Sequence, residues 1–411
     1  MKQLSVRPRA VILTIGDELL KGSTLNTNAR FLGRALTDLG FCVAGQRACP
    51  DRMEAIQESL RQSFLDGDFV VATGGLGPTP DDLTRESIAA FYGVPLEFCA
   101  DQYREIKKYY VVRKRRVPVM VRKEAQFPAN AEPLVNRHGI ALGFTVREAG
   151  RWLVVLPGVP REQEKMFAEL VVPLVQKKFP GLRPRPSLVV KTVGLSEPAV
   201  MKKIGKAIFR ESFDFGIYPS PGEAALRLQA DRPAIIRKLK KHISLKLRGS
   251  IYAFEEISLG GQVGRLLLRR QQTVAVAESC TGGSLAAAFT AEAGASRYFR
   301  GGIVAYDNSV KMSRLGVSQM DLQKHGAVSA VVALAMARGV RESLGVSYGV
   351  SVTGIAGPAG AVPGKPVGTV YIAVAGPGGA AVESCLFTGD RAQVQAKSVS
   401  RALELLWRRL V

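Results

Sequence analysis

Histidine and cysteine are scarce in this chain of 411 residues, which has three histidines and five cysteines. The cysteines are widely spaced and form no Cys-x-x-Cys pair: Cys42, Cys49, Cys99, Cys280 and Cys385. These features argue against a disulfide framework and against a structural zinc site, and they predict free thiols in a reducing compartment. We therefore expect a cytoplasmic protein.

Acidic residues are also in short supply, with 35 Asp and Glu against 57 Lys and Arg, so the formal net charge is +22. Two segments concentrate the excess: residues 101–125 have nine basic and three acidic residues, and residues 227–248 have eight basic and one acidic. Such a balance is typical of proteins that bind nucleic acid or anionic membranes. Solvated helix faces, or a field that attracts small anionic substrates, would produce it as well.

No long hydrophobic run indicates a membrane span or a signal peptide. The apolar run at residues 10–15 is too short for a signal peptide. Residues 343–364 are uncharged, but they include six glycines and two prolines, which indicates a strand followed by a glycine-rich loop. We expect a soluble protein with no membrane association.

The length predicts two or three domains, and strands alternating with helices in the first third predict an α/β fold with a doubly wound parallel sheet. Residues 180–186 are rich in proline and indicate a linker. Residues 187–252 suit a small α+β module with the order β-α-β-α, and another α/β domain follows. The predicted domains are residues 1–178, 187–252 and 258–411.

A glycine-rich loop follows the predicted strand at residues 68–73. Its glycines, Gly74, Gly75 and Gly77, suit an anion cradle at the crevice where open α/β sheets bind ligands. Thr79 is predicted to cap a helix that starts at Pro80. Asp81 and Asp82 would then either hold a hard cation such as Mg²⁺ or act as helix-capping acids.

A second loop carries the strongest chemical signal, because Ser279 lies between a predicted strand and an alanine-rich helix. A serine in this position exposes its hydroxyl beside helix N-terminal amides, which can hold an oxyanion or a phosphate. The sequence around Ser279 is not Gly-x-Ser-x-Gly, so this loop does not have the hydrolase motif. A structural turn or a phosphate cradle is therefore an alternative to catalysis, and Cys280 is a rival nucleophile.

A serine nucleophile needs a base, and Lys311 is the candidate in a domain whose only histidine is His325. Asn308 is predicted to cap the helix that carries Lys311 in its first turn, where the helix dipole and partial burial both lower a lysine pKa. Tyr306 precedes this helix and could relay a proton. A surface lysine and a core tyrosine are the alternatives. Two more segments, residues 353–371 and 387–391, add a glycine-rich loop and an arginine suited to a phosphate or carboxylate.

Four motifs in the last third resemble the C-terminal domain of the CinA family: Glu278-Ser279-Cys280-Thr281-Gly282-Gly283, Tyr306-Asp307-Asn308-x-x-Lys311, Gly354-Ile355-Ala356-Gly357-Pro358 and Gly389-Asp390-Arg391. Three motifs earlier in the chain resemble the N-terminal half of that family: Ile15-Gly16-Asp17-Glu18-Leu19-Leu20 with Thr27-Asn28, residues 73–82, and Leu156-Pro157-Gly158-Val159-Pro160-Arg161-Glu162. The resemblance covers nearly the whole chain, and residues 187–252 lie where the family has a small KH-like module.

The resemblance implies an amidase that converts nicotinamide mononucleotide (NMN) into nicotinate mononucleotide and ammonia without a metal. It assigns Ser279 as nucleophile, Lys311 as base and Tyr306 as their companion. The substrate-binding residues that it implies are Thr281, Gly282, Gly283, Asn308, Gly354, Ala356, Gly357 and Arg391. Gln395 departs from the family pattern, which commonly has a second arginine at this position.

The N-terminal half resembles molybdopterin-binding domains, and some family members use this half to hydrolyse ADP-ribose with a divalent metal such as Mg²⁺, Mn²⁺ or Co²⁺. The nucleotide-binding residues that the resemblance implies are Asp17, Glu18, Asn28, Gly74, Gly75, Gly77 and Thr79, with Asp81 and Asp82 as metal ligands. It also implies a homodimer. Residues 187–252 lack the Gly-x-x-Gly loop with which KH modules grip nucleic acid. Small phosphate-bearing nucleotides are therefore the favoured partners, ahead of non-specific nucleic-acid binding.

Overall fold

The computed structural model describes residues 7–206, 208 and 212–411. Its internal contacts divide the chain into two compact units, Met1–Arg185 and Pro186–Val411. In the described part of the chain, no helix combines the length and the apolar character that crossing a membrane requires.

The first unit alternates strands and helices. Its strands are β1 (Arg9–Ile15), β2 (Cys42–Cys49), β3 (Phe69–Thr73), β4 (Leu96–Phe98), β5 (Gln126–Pro128), β6 (Ala131–Leu134), β7 (Gly143–Glu148) and β8 (Arg151–Leu156). Its α-helices are α1 (Asp17–Leu20), α2 (Thr27–Leu39), α3 (Met53–Asp66), α4 (Thr84–Tyr92), α5 (Ala100–Val112), α6 (Pro160–Met166) and α7 (Val172–Lys178). A 3₁₀ segment spans Val119–Ala125, and a π-helical turn at Phe167–Val171 joins α6 to α7.

Six of these strands form one sheet in the order β2-β1-β3-β8-β7-β6. The first four strands are parallel, and β7 and β6 are antiparallel additions. Apolar clusters cover both faces of the sheet, which confirms the doubly wound arrangement. Because β1, β3 and β8 are parallel neighbours, the loops that follow them meet at one edge of the sheet.

One helix start in this unit differs from the sequence prediction, and a second residue with capping character takes a distant partner. No helix begins at Thr79: its N–H and its hydroxyl both donate to the carboxylate of Asp82, which closes a turn, and α4 begins at Thr84. Asp51 has the spacing of a capping residue for α3, but its carboxylate accepts the N–H of Asp17 at 3.0 Å. In both places a competing hydrogen-bond partner replaces the local cap.

The second unit begins with the elements β9 (Ser187–Val193), α8 (Glu197–Ile204), β10 (Asp214–Ser220), β11 (Glu223–Gln229), α9 (Pro233–Lys246) and β12 (Ile251–Ala253). The four strands pair antiparallel in the order β10-β11-β9-β12. The predicted order β-α-β-α therefore omitted two strands, β10 and β12. The KH-like character of this module stays a prediction.

The rest of the second unit is a larger α/β region. Its strands are β13 (Val274–Glu278), β14 (Phe299–Val304), β15 (Tyr348–Gly354), β16 (Thr369–Gly376) and β17 (Gly379–Leu386). Its α-helices are α10 (Leu259–Arg269), α11 (Ser284–Thr290), α12 (Asn308–Leu315), α13 (Gln319–His325), α14 (Ala330–Ser343) and α15 (Arg391–Leu410). The sheet order is β14-β13-β15-β16-β17, and the first three strands are parallel. The carboxyl end of β13 therefore lies between those of β14 and β15.

Candidate active site

Ser279 directly follows β13, which lies between the parallel strands β14 and β15. Backbone hydrogen bonds join this part of the chain to both neighbouring strands. Its N–H donates to the carbonyl of Val352 on β15 at 2.9 Å, and the N–H of Ala305, just after β14, donates to the carbonyl of Glu278 at 2.7 Å. Ser279 is 9 % exposed. The loop is thus fixed at the point where the ends of three parallel strands meet.

The carboxylate of Glu278 organises the turn that follows Ser279. This side chain is fully buried and accepts the N–H groups of Gly283, Leu285 and Ala286 at 2.8 to 3.0 Å. These amides form the start of α11, and Gly283 enters the helix with φ 101°, in the left-handed region that favours glycine. Three of the amides that the sequence offered to an oxyanion are therefore occupied by the chain's own carboxylate.

Lys311 is buried beside this loop, with 1 % of its surface exposed. Its Nζ donates to the carbonyl of Tyr306 at 3.1 Å. Burial lowers the pKa of Lys311, and the nearby Asp307 and Cys280 only partly oppose this shift. An amine of this kind holds a larger neutral fraction than a surface lysine at the same pH, as a general base requires.

The cap of α12 differs from the prediction by one residue. Asp307, not Asn308, is the N-cap, and its carboxylate accepts the N–H of Ser309 at 2.8 Å. Hydrogen bonds from the hydroxyl and the N–H of Ser309 lower the pKa of Asp307. Asn308 is the first helical residue, and Lys311 is therefore the fourth. Gly316 ends the helix in a left-handed conformation, as predicted.

Arg391 joins two of the predicted loops. Its guanidinium donates to the carbonyl of Gly357 at 2.9 Å and to the hydroxyl of Tyr306 at 3.0 Å. Tyr306 is exposed, so its ring and the arginine lie at an accessible edge of the site. The glycine-rich segment from Gly354 to Gly357 follows β15, next to the serine loop, as the sequence predicts.

Cys280 is buried beside Ser279, and Gln395 contacts the backbone of the same loop. Burial raises the pKa of the Cys280 thiol to about 12, which disfavours the thiolate that a nucleophile needs. The side-chain amide of Gln395 donates to the carbonyl of Cys280 at 2.7 Å. The hydroxyl of Thr281 is buried and has no hydrogen-bond partner among the described residues.

The first unit contains a separate crevice of about 510 Å³ at the edge where β1, β3 and β8 end. Of the predicted nucleotide-binding residues, its lining includes Glu18, Asn28, Gly74, Gly75 and Gly77, together with the predicted metal ligands Asp81 and Asp82. Gly74 has φ 109°, and a Cβ there would lie 2.0 Å from the carbonyl oxygen of Ile15, so only glycine fits.

Side-chain hydrogen bonds hold Asn28 and the glycine loop in place. The amide nitrogen of Asn28 donates to the carbonyl of Gly158 at 2.7 Å and to the hydroxyl of Thr73 at 3.2 Å. The buried guanidinium of Arg85 donates to the carbonyls of Leu76 and Gly77. Asp17 faces a neighbouring cavity that it shares with Asp51 and Asp81.

Two crevice residues carry perturbed carboxyl groups that the sequence did not single out. Burial raises the pKa of Glu124 to about 7 and also raises the pKa of Glu162 above its ordinary value. Both line the crevice with Ile140 and Ala141. Glu124 belongs to none of the motifs quoted above. Glu162 ends the motif at residues 156–162, but nothing in the sequence marked its carboxyl group as buried.

The described residues contain no group of three or more His, Cys, Asp or Glu side chains placed to share a metal ion. Asp82 is also engaged by Thr79. Asp81 and Asp82 fit the needs of Mg²⁺, which binds through one or two carboxylates and takes its remaining ligands from water and substrate phosphates. They do not form a site preassembled from protein ligands alone.

Comparison with known proteins assigns both halves of the chain. The model of the CinA C-terminal domain matches residues 256–410, and the model of a probable molybdopterin-binding domain matches residues 11–177. A CinA-like protein of Thermosynechococcus vestitus is 39 % identical over 412 aligned residues, covering 98 % of this chain and 99 % of that protein. The chain belongs to the CinA family.

Another full-length relative and one solved structure are also similar to this chain. A CinA-like protein of Kosmotoga olearia is 37 % identical over 410 residues, which cover 98 % of this chain and 99 % of that protein. The crystal structure of a CinA protein of unknown function from Thermoplasma acidophilum is 34 % identical, with a TM-score of 0.38, and covers 42 % of this chain and 98 % of its own. The family and the mixed α/β fold expected from the sequence are confirmed.

Proposed function

We propose that the C-terminal region of this CinA protein hydrolyses the carboxamide of NMN to nicotinate mononucleotide and ammonia. The observation that carries the proposal is Lys311, a buried lysine with a lowered pKa on α12. This helix follows β14, the strand that pairs with β13 just before Ser279. A serine after one strand and a lysine of lowered pKa on the helix after the neighbouring strand can serve as a nucleophile and its base without a histidine.

The reaction begins when Lys311 accepts the hydroxyl proton of Ser279 and the serine oxygen bonds to the carboxamide carbon. The carbon–nitrogen bond then breaks, and the lysine proton passes to the departing nitrogen, which leaves as ammonia. Water next attacks the acyl ester while Lys311 accepts its proton. The bond between the acyl carbon and the serine oxygen breaks, and nicotinate mononucleotide is released. The proton returns from Lys311 to the serine oxygen, so the cycle balances.

Three other groups support binding in this proposal. The unpartnered hydroxyl of Thr281 offers a donor to the substrate or to the developing oxyanion. Arg391 uses part of its guanidinium to link Tyr306 to Gly357 and has further N–H groups for the phosphate of NMN. Tyr306 is thereby oriented by the same arginine that would meet the substrate.

Incubation of the purified full chain with NMN tests this function. We expect equimolar ammonia and nicotinate mononucleotide, and we expect the rate to be unchanged by a metal chelator because no step uses a metal. Ammonia can be followed enzymatically and the nucleotide by chromatography. Absence of ammonia release over the neutral to alkaline pH range would contradict the proposal.

A second activity is proposed for the first unit, the hydrolysis of ADP-ribose to AMP and ribose 5-phosphate. The observation that favours it is Glu124, which lines the crevice with a pKa of about 7 and can exchange a proton at neutral pH. Asp81 and Asp82 would hold a divalent metal, which would neutralise charge on the diphosphate. The glycine loop would take the phosphate oxygens.

We expect the double substitution Asp81→Asn, Asp82→Asn to reduce AMP release with Mg²⁺, Mn²⁺ or Co²⁺ by at least about 10-fold, since loss of even an outer-shell partner costs that much at metal sites. Ammonia release from NMN should be unaffected. Asp101→Asn with Glu105→Gln, two acids on α5 that do not line the crevice, is the matched control. Full AMP release by the Asp81 and Asp82 variant would contradict the metal assignment.

A further inference from the structure

The helices α8 and α9 of the second unit present a basic surface that neither proposed activity uses. We define this basic layer by six exposed side chains: Lys202, Lys203, Arg237, Lys240, Lys241 and Lys246. The 14 residues of α9 contain no Asp or Glu, and α8 contains one acid, Glu197. Like charges at these spacings repel one another, so the layer is an electrostatic cost to the isolated module.

The packing of the two helices leaves these cations exposed to solvent. Ile235, Leu239 and Ile243 of α9 are buried in the same apolar cluster as Val200 and Ile204 of α8. The cations occupy the remaining, solvent-facing positions of both helices. The ring Nε2 of His242 also lies 2.8 Å from the carbonyl oxygen of Ile204, which joins α9 to the end of α8.

The described part of the chain supplies no acidic partner to this layer. Among the described residues, no ion pair involves any of the six side chains, whereas Lys191 and Arg227 on the sheet of the same module pair with Glu256. Six uncompensated cations on two packed helices are complementary to a polyanion with closely spaced charges.

The basic layer lacks the Phe, Tyr and Trp side chains on which the bases of single-stranded nucleic acids stack. Neither α8 nor α9 contains Phe, Tyr or Trp. The neighbouring ring of Phe254 lies under the ammonium of Lys240, 4.6 Å from the ring centroid. Binding of single strands combines a basic track with aromatic rings on which bases stack. Duplex DNA needs no stacking partner, and it presents about one negative charge per 1.7 Å of its axis.

We propose that the basic layer binds the phosphate backbone of double-stranded DNA without reading its sequence. A helix of 14 residues is about 21 Å long, enough to follow several successive phosphates. The contacts are lysine and arginine with phosphate oxygens, and no base edge is involved. The surface lies outside both candidate sites, so DNA and small nucleotides do not compete for the same residues.

Fluorescence anisotropy with a labelled duplex of random sequence tests this proposal on the full chain. If about five cations each neutralise one phosphate, the affinity should fall about 500-fold between 50 and 200 mM salt. The substitution set Arg237→Gln, Lys240→Gln, Lys241→Gln, Lys246→Gln should lower the slope of log affinity against log salt by about 3.6. Two duplexes of different sequence should bind equally.

The matched control is the set Arg113→Gln, Lys114→Gln, Arg115→Gln, Arg116→Gln, which removes the same charge from the first unit and should leave the slope unchanged. Circular dichroism and the melting temperature check that both variants fold. Equal losses in the two variants, binding insensitive to salt, or no binding at 50 mM salt would overturn the proposal. Tighter binding of single-stranded DNA or RNA, or displacement of the duplex by polyglutamate at equal charge, would also overturn it.

Discussion

Replacing Ser279 with alanine is expected to reduce kcat/KM for NMN deamidation by at least about 10³-fold, in line with the loss of a nucleophile in other serine hydrolases. Alanine removes the attacking oxygen while the backbone bonds that hold the loop remain, because they use the N–H of Ser279 and the carbonyl of Glu278. The measurement is the steady-state rate of ammonia release over a range of NMN concentrations.

Cys280→Ala is the matched control, because it alters the adjacent residue in the same loop. Burial raises the pKa of this thiol to about 12, so only about one molecule in 10⁵ would carry a thiolate at pH 7. We expect this variant to retain activity within about threefold of the unsubstituted protein. A reversed pattern, with an active Ser279→Ala and an inactive Cys280→Ala, would identify the cysteine as the nucleophile.

Replacing Lys311 with methionine is expected to lower kcat by about 10²- to 10⁴-fold, the contribution typical of a general base. Methionine fills a similar volume without an ionisable group. Lys311→Arg separates two roles, since arginine keeps the positive charge and cannot act as a base at accessible pH. Both variants should be inactive, and substantial activity in the arginine variant would show that charge alone is required.

The pH profile of the unsubstituted protein gives an independent check on Lys311. Only the neutral amine accepts a proton, so kcat/KM should fall as pH decreases through the pKa of Lys311, and burial places that midpoint below the ordinary value of 10.5. Because the folded pKa lies below the unfolded one, the unfolded state binds more protons between the two values. The contribution of Lys311 to stability therefore increases with pH in that window, and Lys311→Met should remove this dependence.

Sequence reasoning located both candidate sites because parallel strands impose their geometry. The loops after residues 73, 278 and 354 had to lie at carboxyl ends of sheet strands, and a glycine-rich or serine-bearing loop at such an end is visible in a single sequence. Motifs on neighbouring strands could therefore be grouped without coordinates. The resemblance to CinA then supplied roles, and the roles remain proposals.

The sequence did not predict which hydrogen-bond partner each capping residue takes. Asp51 and Thr79 have the composition of local helix caps, but their partners are Asp17 and Asp82. A capping bond is worth about 1 kcal/mol, so a competing partner of similar strength can displace it. For Lys311 the sequence suggested partial burial, and for Glu124 it suggested none, whereas both side chains are almost fully buried. The extent of burial depends on packing around the side chain and not on neighbours in sequence.

The three backbone amides that donate to Glu278 determine how the loop after Ser279 is organised before a substrate binds. Because the loop after Ser279 is hydrogen-bonded to a buried carboxylate, its conformation does not depend on contacts with the substrate. In the proposed deamidation, little reorganisation energy would be left for the chemical step. The Thr281 hydroxyl, which has no partner among the described residues, would then be the donor to the developing negative charge. The candidate loop is thus preorganised, and we expect it to keep its conformation when a substrate binds.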